Sequence, residues 1–165
     1  MIEAQKAEPF RSIIDPDYGE FFAGGDMEKK IQAFCERTGQ PVPTTVGQVA
    51  RCIYESLALK YRWALERLEE IKGARIDTLN IVGGGIQNKL LNQMAADSLN
   101  RKVITGPVEG AAIGNLLAQA MALGAVRDVA DLRRVVRNSE DVHEYAPNHT
   151  PAWEAAYQKL LSLMK

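Results

Sequence analysis

The residues best placed to do chemistry are Gly83, Gly84 and Gly85. They stand between a β-prone run, Asp77-Thr78-Leu79-Asn80-Ile81-Val82, and Ile86-Gln87-Asn88, where a helix can begin. Strand, glycine turn and helix start form an arrangement that suits a nucleotide. Glycine lets the main chain turn sharply and lets a flat ligand approach with no Cβ in the way. The helix start adds unpaired N–H groups and a partial positive charge. Gln87 and Asn88 bring side-chain amides to the rim. No Gly-Lys-Ser/Thr follows, so the turn is not a phosphate-gripping P-loop. Nor is it a dinucleotide fingerprint: Asn88 occupies the third glycine position, and no acidic ribose ligand follows a second strand. The same residues also fit a plain tight turn, and Asn88 fits a helix-start residue bonding its own backbone.

Other reactive side chains are dispersed. Cys35 and Cys52 belong to no CxxC pair, and His143 and His149 lie far from both in the chain. A structural zinc site needs four clustered ligands, so no metal site is predicted. The cysteines read as two reduced, partly buried side chains. The alternative is a disulfide across a helical hairpin whose turn is Gly39–Thr45. Asp97 reads as a helix-surface carboxylate, Glu109 as a helix N-terminal charge, and Arg133, Arg134 and Arg137 as a solvated helix face. Nothing nominates Asp15 or Asp17 as a catalytic base. A formal net charge of -1 leaves no basic field for nucleic acid. Apolar runs are interrupted well before the ~18 residues of a membrane span. MIEAQKAEPF has no charged leader followed by an apolar stretch, so a soluble cytoplasmic protein is expected.

The elements that must position the glycine turn follow from periodicity. Pro9, Asp15-Pro16, Gly19 and Gly24-Gly25 punctuate the first 27 residues, which read as an extended strap carrying Phe10, Ile13, Ile14, Tyr18, Phe21 and Phe22. Asp26 caps a helix to about Thr38, with Met27, Ile31 and Phe34 on one face. After Gly39 and a stiff Gln40-Pro41-Val42-Pro43 link, Thr45 opens the longest helix, to roughly Lys72. Its predicted buried stripe is Val46, Val49, Ile53, Leu57, Tyr61, Ala64, Leu65 and Leu68. A helix is expected from Ile86 to Asn100, with Leu90, Leu91, Met94 and Leu99 inward. A second short strand is expected at Val103-Ile104, and an Ala-rich helix from Ala111 to Leu123. Gly106-Pro107 and Gly114 read as close packing between strand and helix. A helix capped by Asp128 or Asp131 and a last one from Pro151, burying Trp153, Tyr157, Leu160 and Leu161, complete the chain. The middle is β-α-β-α, a helix-rich α/β layer. Two strands seldom make a stable sheet, so the other strands are expected upstream.

The stretch LNIVGGGIQNKLLNQMAADSLNRKVITGPVEGAAIGNLLAQAMALG resembles the C-terminal region of FGGY-type carbohydrate kinases, of the actin-like ATPase superfamily. The likeness is nearest to the rhamnulokinase branch of that family. PFRSIIDP at Pro9–Pro16, ARCIYESLALKYR at Ala50–Arg62 and GPVEGAAIGN at Gly106–Asn115 also carry it. The resemblance implies a partial C-terminal domain with an actin-like, ribonuclease H-like fold. Residues 1–44 would be a strap and short helix, and 45–165 a helix plus βαβα core. It implies that Gly83, Gly84 and Gly85 pack against the adenosine of ATP, with Asn88 and then Gln87 as polar contacts. It implies ATP and Mg²⁺ as cofactors, ATP or ADP and a ketose as ligands, and an N-terminal domain as partner. The implied reaction transfers the γ-phosphoryl to O1 of L-rhamnulose, or acts on xylulose, ribulose or fuculose. The family's catalytic aspartate lies upstream of the matched region, so this chain by itself is expected to be inactive and to hold no catalytic residue. A stand-alone binding or dimerisation module is the rival reading, and a broken sheet with apolar edges is compatible with a homodimer.

Overall fold

A computed structural model describes residues 2–148 and 150–164, so Met1, His149 and Lys165 lie outside the described residues. The chain folds as α1 (Ile2–Lys6), α2 (Met27–Arg37), α3 (Val46–Lys72), β1 (Thr78–Ile81), α4 (Lys89–Leu99), β2 (Lys102–Thr105), α5 (Gly110–Ala122), α6 (Val129–Ser139), β3 (His143–Tyr145) and α7 (Pro151–Leu163). Tight 3-10 turns form at Gly19–Phe21 and Gly84–Gln87. The helix starts are set by side-chain caps. Asp26 accepts from Lys29 N–H, Thr45 from Gln48 N–H and Asp128 from Asp131 N–H. Such caps each contribute about 1 kcal/mol by satisfying an otherwise unpaired amide.

β1 pairs parallel to β2 with Leu79 opposite Val103, and β3 pairs antiparallel to β2 with Thr105 opposite His143. The third strand corrects the two-strand expectation. Three largely exposed residues, His143-Glu144-Tyr145, are too short and too polar to show a strand's alternation. One face of the sheet, with Leu79, Ile81 and Val103, packs on Leu65 of α3 and on Ala95, Ala96 and Leu99 of α4. A second cluster joins Ile13 of the strap, Ala58 and Leu59 of α3, Met94 of α4 and Trp153, Tyr157 and Leu160 of α7. Strap and core thus share one interior.

The first residues are not all extended. Residues 2–6 form α1, seated on Gly47, where an added Cβ would lie 2.6 Å from the Glu3 carbonyl oxygen. Arg51 Nη1 donates to the carbonyls of Ala4 (3.1 Å) and Gln5 (3.3 Å), satisfying the end of this short helix. The rest of the strap lacks a strand partner, so side chains satisfy its backbone. Phe10 N–H donates to Glu55 Oε2 at 2.8 Å, Ile14 N–H to Ser56 Oγ at 3.0 Å and Ile13 N–H to Gln40 Oε1 at 2.9 Å. Lys60 Nζ holds Asp15 at 3.1 Å and Asp17 at 2.9 Å.

These polar anchors explain why the predicted stripe of α3 holds only in part: Leu65 is buried, and Val49 and Ile53 pack partly buried on the α2 cluster. The buried positions are Gly47, Cys52, Glu55, Ser56, Ala58, Leu59 and Leu65, while Val46 and Leu68 are 70% and 54% exposed. The helix turns its polar anchors inward to hold the strap and leaves much of its apolar line uncovered. Met27 is likewise exposed, whereas Ile31 and Phe34 are buried as expected. Cys35 and Cys52 are both free and buried. The neighbouring Cys52 thiol holds Cys35 below the usual thiol range, while Cys35 and burial push Cys52 far above it. No helix among the described residues is long and apolar enough to cross a membrane.

Candidate nucleotide shelf

β1 runs directly into the glycine turn. Gly83 has φ 86°, a conformation that L side chains rarely adopt. Its N–H donates to the Pro107 carbonyl at 3.1 Å, and the Gly106 N–H donates to the Ile81 carbonyl at 3.0 Å. These two bonds tie the loop after β1 to the loop after β2. Ile86 N–H then donates to Gly83 O and Asn88 N–H to Gly85 O, each at 3.2 Å, winding residues 84–87 into their 3-10 turn. The predicted helix start at Ile86 therefore shifts to Lys89, where α4 begins. An added Cβ at Gly84 or Gly85 would meet nothing within 4 Å. At Gly83 the need for glycine is conformational; at Gly84 and Gly85 the space above the main chain is open.

Asn88 serves its own helix. Its Oδ1 accepts from Leu91 N–H at 3.2 Å as the N-cap of α4, so only its Nδ2 is left as a ligand donor. Asn92, fully buried, donates from Nδ2 to the Ile86 carbonyl at 2.8 Å and pins the far side of the turn. With Leu91 N–H used by the cap, the first-turn amides of Lys89 and Leu90 remain to face a ligand.

The second loop is built by close approach. Gly106 has φ 120°, and a Cβ there would lie 2.7 Å from the Asp141 carbonyl oxygen. A Cβ on Gly110 would lie 3.5 Å from Val82 Cβ. Gly114 differs from expectation, since nothing stands within 4 Å of its Cβ position. Only Leu117 of α5 is buried, so this helix exposes the face on which packing was predicted.

Beside the turn lies a cavity of about 590 Å³, lined by Ile86, Gln87, Lys89, Val108, Asp141 and His143 among others. That size suits a small organic ligand. Of the predicted site residues Gln87 lines this cavity, while Gly83, Gly84, Gly85 and Asn88 are not among its lining residues. The cavity adds Lys89, Val108 and His143, which the sequence reading had not placed here. Val108 sits inside the Gly-Pro-Val-Glu segment and was findable. His143 is brought in only by the pairing of β3 with β2. Glu109 flanks α5 without a side-chain capping bond. Asp97 is more than a surface carboxylate: its Oδ1 accepts from Gln93 Nε2 and from Asn148 N–H, both at 2.8 Å, fixing the loop before α7. Arg133, Arg134 and Arg137 are exposed on α6 as predicted, with Arg134 paired to Asp131. Another cleft, between α3, α4 and α7, is lined by Arg62 of α3, paired with Glu66 of the same helix and Glu154 of α7, and by Arg101, just after α4, paired with Glu69 of α3. Among the described residues no group of three or more His, Cys, Asp or Glu is gathered for a metal ion.

A glycine turn at the carboxyl ends of two parallel strands, with open space above it, is where open α/β sheets bind nucleotides. The class follows from the sequence match: residues 1–123 match the C-terminal domain of the FGGY family of carbohydrate kinases, and the chain belongs to that family. Similar solved structures include a xylulose kinase and a glycerol kinase, and the chain has part of the actin-like ATPase fold. Among curated relatives, the rhamnulokinase of Bacteroides thetaiotaomicron is 47% identical over 155 residues, covering 94% of this chain and 32% of its own length. The rhamnulokinase of Bacillus subtilis is 41% identical over 145 residues, 88% of this chain and 30% of its own. Plasmodium falciparum glycerol kinase with ADP superposes with a TM-score of 0.65 at 16% identity, over 99% of this chain and 31% of that one. Xylulose kinase from Rhodospirillum rubrum superposes with a TM-score of 0.57 at 23% identity, over 76% of this chain and 25% of that one. The chain therefore spans about a third of the length of the curated relatives it matches.

Proposed function

We propose that this chain is the nucleotide-side wall of an ATP-dependent sugar kinase whose complete form phosphorylates L-rhamnulose at O1. The observation that carries the reading is the glycine turn: Gly84 and Gly85 present bare main chain to open space, at the junction of β1, β2 and the start of α4. A purine and ribose fit such a surface, with Gln87 and the Nδ2 of Asn88 at the rim. The helix start favours the electron-rich side of the nucleotide. The rhamnulokinase names of the relatives support rhamnulose over xylulose, ribulose or fuculose.

What the chain's own residues do is bind and orient. In phosphoryl transfer, positioning and charge stabilisation supply most of the rate, and Mg²⁺ bridging the phosphates neutralises developing charge. Among the described residues no three His, Cys, Asp or Glu gather for a metal ion, so Mg²⁺ would enter with the phosphates of the nucleotide. The general base, the phosphate grip and the sugar contacts belong to the preceding part of the polypeptide, and the isolated chain is inactive. The setting is the cytoplasm, where ATP is supplied.

The test is an ADP titration of the chain followed through its backbone amides. Saturable shifts at Gly83, Gly84, Gly85 and Asn88 are expected. A folded chain in which these amides stay silent would remove the shelf reading. Kinase activity with L-rhamnulose from the isolated chain would remove the claim that the catalytic base lies elsewhere.

A further inference from the structure

β1 and β2 turn Leu79, Ile81 and Val103 toward α3 and α4. Side chains alternate across a strand, so Thr78, Asn80 and Ile104 face the other way. On that second face lies a cavity of about 470 Å³, lined by those three residues and, from α6, by Arg133, Val136 and Arg137. Gly106 and Val142 complete the lining, and no carboxylate is part of it. The cavity shares no lining residue with the one beside the glycine turn.

Arg133 and Arg137 stand one helical turn apart, and neither has an ion pair or hydrogen bond among the described residues. Every other arginine of the chain has an ion pair. Asp131, the carboxylate of α6, is taken by Arg127 and Arg134. Like charges four residues apart repel and weaken a helix. The negative carboxyl end of α6 accounts for Arg137 in the last turn, but not for Arg133 a turn earlier. Across the cavity, the Thr78 hydroxyl and the Asn80 amide also hold no hydrogen bond among the described residues. Uncommitted polar side chains, cationic on one wall and neutral on the other, thus surround one space that has no counter-charge.

We infer that this cavity binds the phosphate group of a small organic phosphate, at a site separate from the glycine turn. The planar fork of arginine matches phosphate oxygens and keeps its charge at any physiological pH. Two such forks suit a dianion, and Thr78 and Asn80 add neutral donors to the same oxygens. The volume is in the range of small-molecule sites, and Ile104, Val136 and Val142 leave apolar wall for a carbon skeleton. A sugar phosphate, the product class of the proposed reaction, belongs to this ligand class. The inference itself rests on the arginines and does not depend on nucleotide binding.

The experiment titrates the isotope-labelled 165-residue chain with L-rhamnulose 1-phosphate, inorganic phosphate, acetate, ADP and adenosine, followed through backbone amides and arginine Nε–H groups. Saturable shifts at Thr78, Asn80, Arg133 and Arg137 are expected with the sugar phosphate and, more weakly, with inorganic phosphate. Saturating adenosine and the Gly84→Ala substitution should leave them unchanged. Arg133→Gln and Arg137→Gln should each weaken binding about tenfold or more, through loss of a charge-assisted pair. Each variant should melt no lower than the native chain, because it relieves a like-charge repulsion. Arg133→Lys, which keeps the charge and loses the fork, should retain part of the affinity. Shifts that never saturate, or that acetate reproduces, would make these arginines a plain solvated face and overturn the inference. So would binding that survives loss of both arginines. A response to ADP alone, or a phosphate response abolished by adenosine, would assign the arginines to the nucleotide's own phosphates and overturn the separate site.

Discussion

Replacing Gly84 by alanine should weaken ADP binding about tenfold and leave the fold unchanged. No heavy atom stands within 4 Å of the new Cβ, and Gly84 is not among the positive-φ glycines. A surface change of this kind stays within about 0.5 kcal/mol of neutral. The methyl group does, however, enter the space a base would occupy. Lifting a ring by ~0.5–1 Å forfeits a quarter to a half of each dispersion contact, and a ring makes about ten contacts of ~0.1–0.2 kcal/mol with the turn. Stretching one hydrogen bond to the rim adds about 1 kcal/mol. The sum, about 1.4 kcal/mol, is about tenfold in Kd. Gly83→Ala is the contrasting control. At φ 86° a Cβ is strained by about 1–2 kcal/mol. The apo chain should then melt lower, by about 2–4 °C for each kcal/mol. Amide-shift titration with ADP and thermal unfolding of the apo proteins measure both quantities. Unchanged ADP affinity in Gly84→Ala would refute the claim that the open face of the turn receives the base. A fully stable Gly83→Ala would refute the conformational role of that glycine.

Three further outcomes are expected. Asn88→Ala should lower stability by about 1 kcal/mol without any nucleotide, through loss of the α4 cap, and Asn88→Ser should restore most of it; a stability change visible only with ADP bound would contradict the cap. Gly106→Ala should destabilise by more than about 2 kcal/mol in urea unfolding, since it adds a backbone clash at 2.7 Å to a strained φ of 120°. Burial raises the Glu55 carboxyl above the ordinary range, against the opposing bonds from Arg51 and the Phe10 N–H. A raised folded pKa contributes stability that is present below the unfolded value, about 4.3, and is lost as pH rises through the folded one. Glu55→Gln should therefore gain on the native chain as pH rises through that window, read from urea midpoints between pH 4 and 8; the opposite slope would mean that Arg51 outweighs burial.

The sequence by itself determined what local chemistry decides. Asp26, Thr45 and Asp128 cap the helices read from them, because a cap is satisfied within three residues. Gly39 and Gly73 end α2 and α3 in left-handed conformations that glycine adopts freely. The strand, triple glycine and helix start were legible for the same reason, as was the family likeness of the segments around them. Tertiary structure decided what depends on partners distant in the chain. The inward face of α3 is chosen by the strap, whose unpaired amides draw Glu55 and Ser56 inward against the apolar count of the helix. β3 exists because β2 offers an edge to three polar residues that carry no strand pattern of their own. Whether Gly114 is packed or bare, and whether Tyr61 and Leu68 are core or surface, turns on which strands stand beside β1, and periodicity in one helix carries no record of its neighbours.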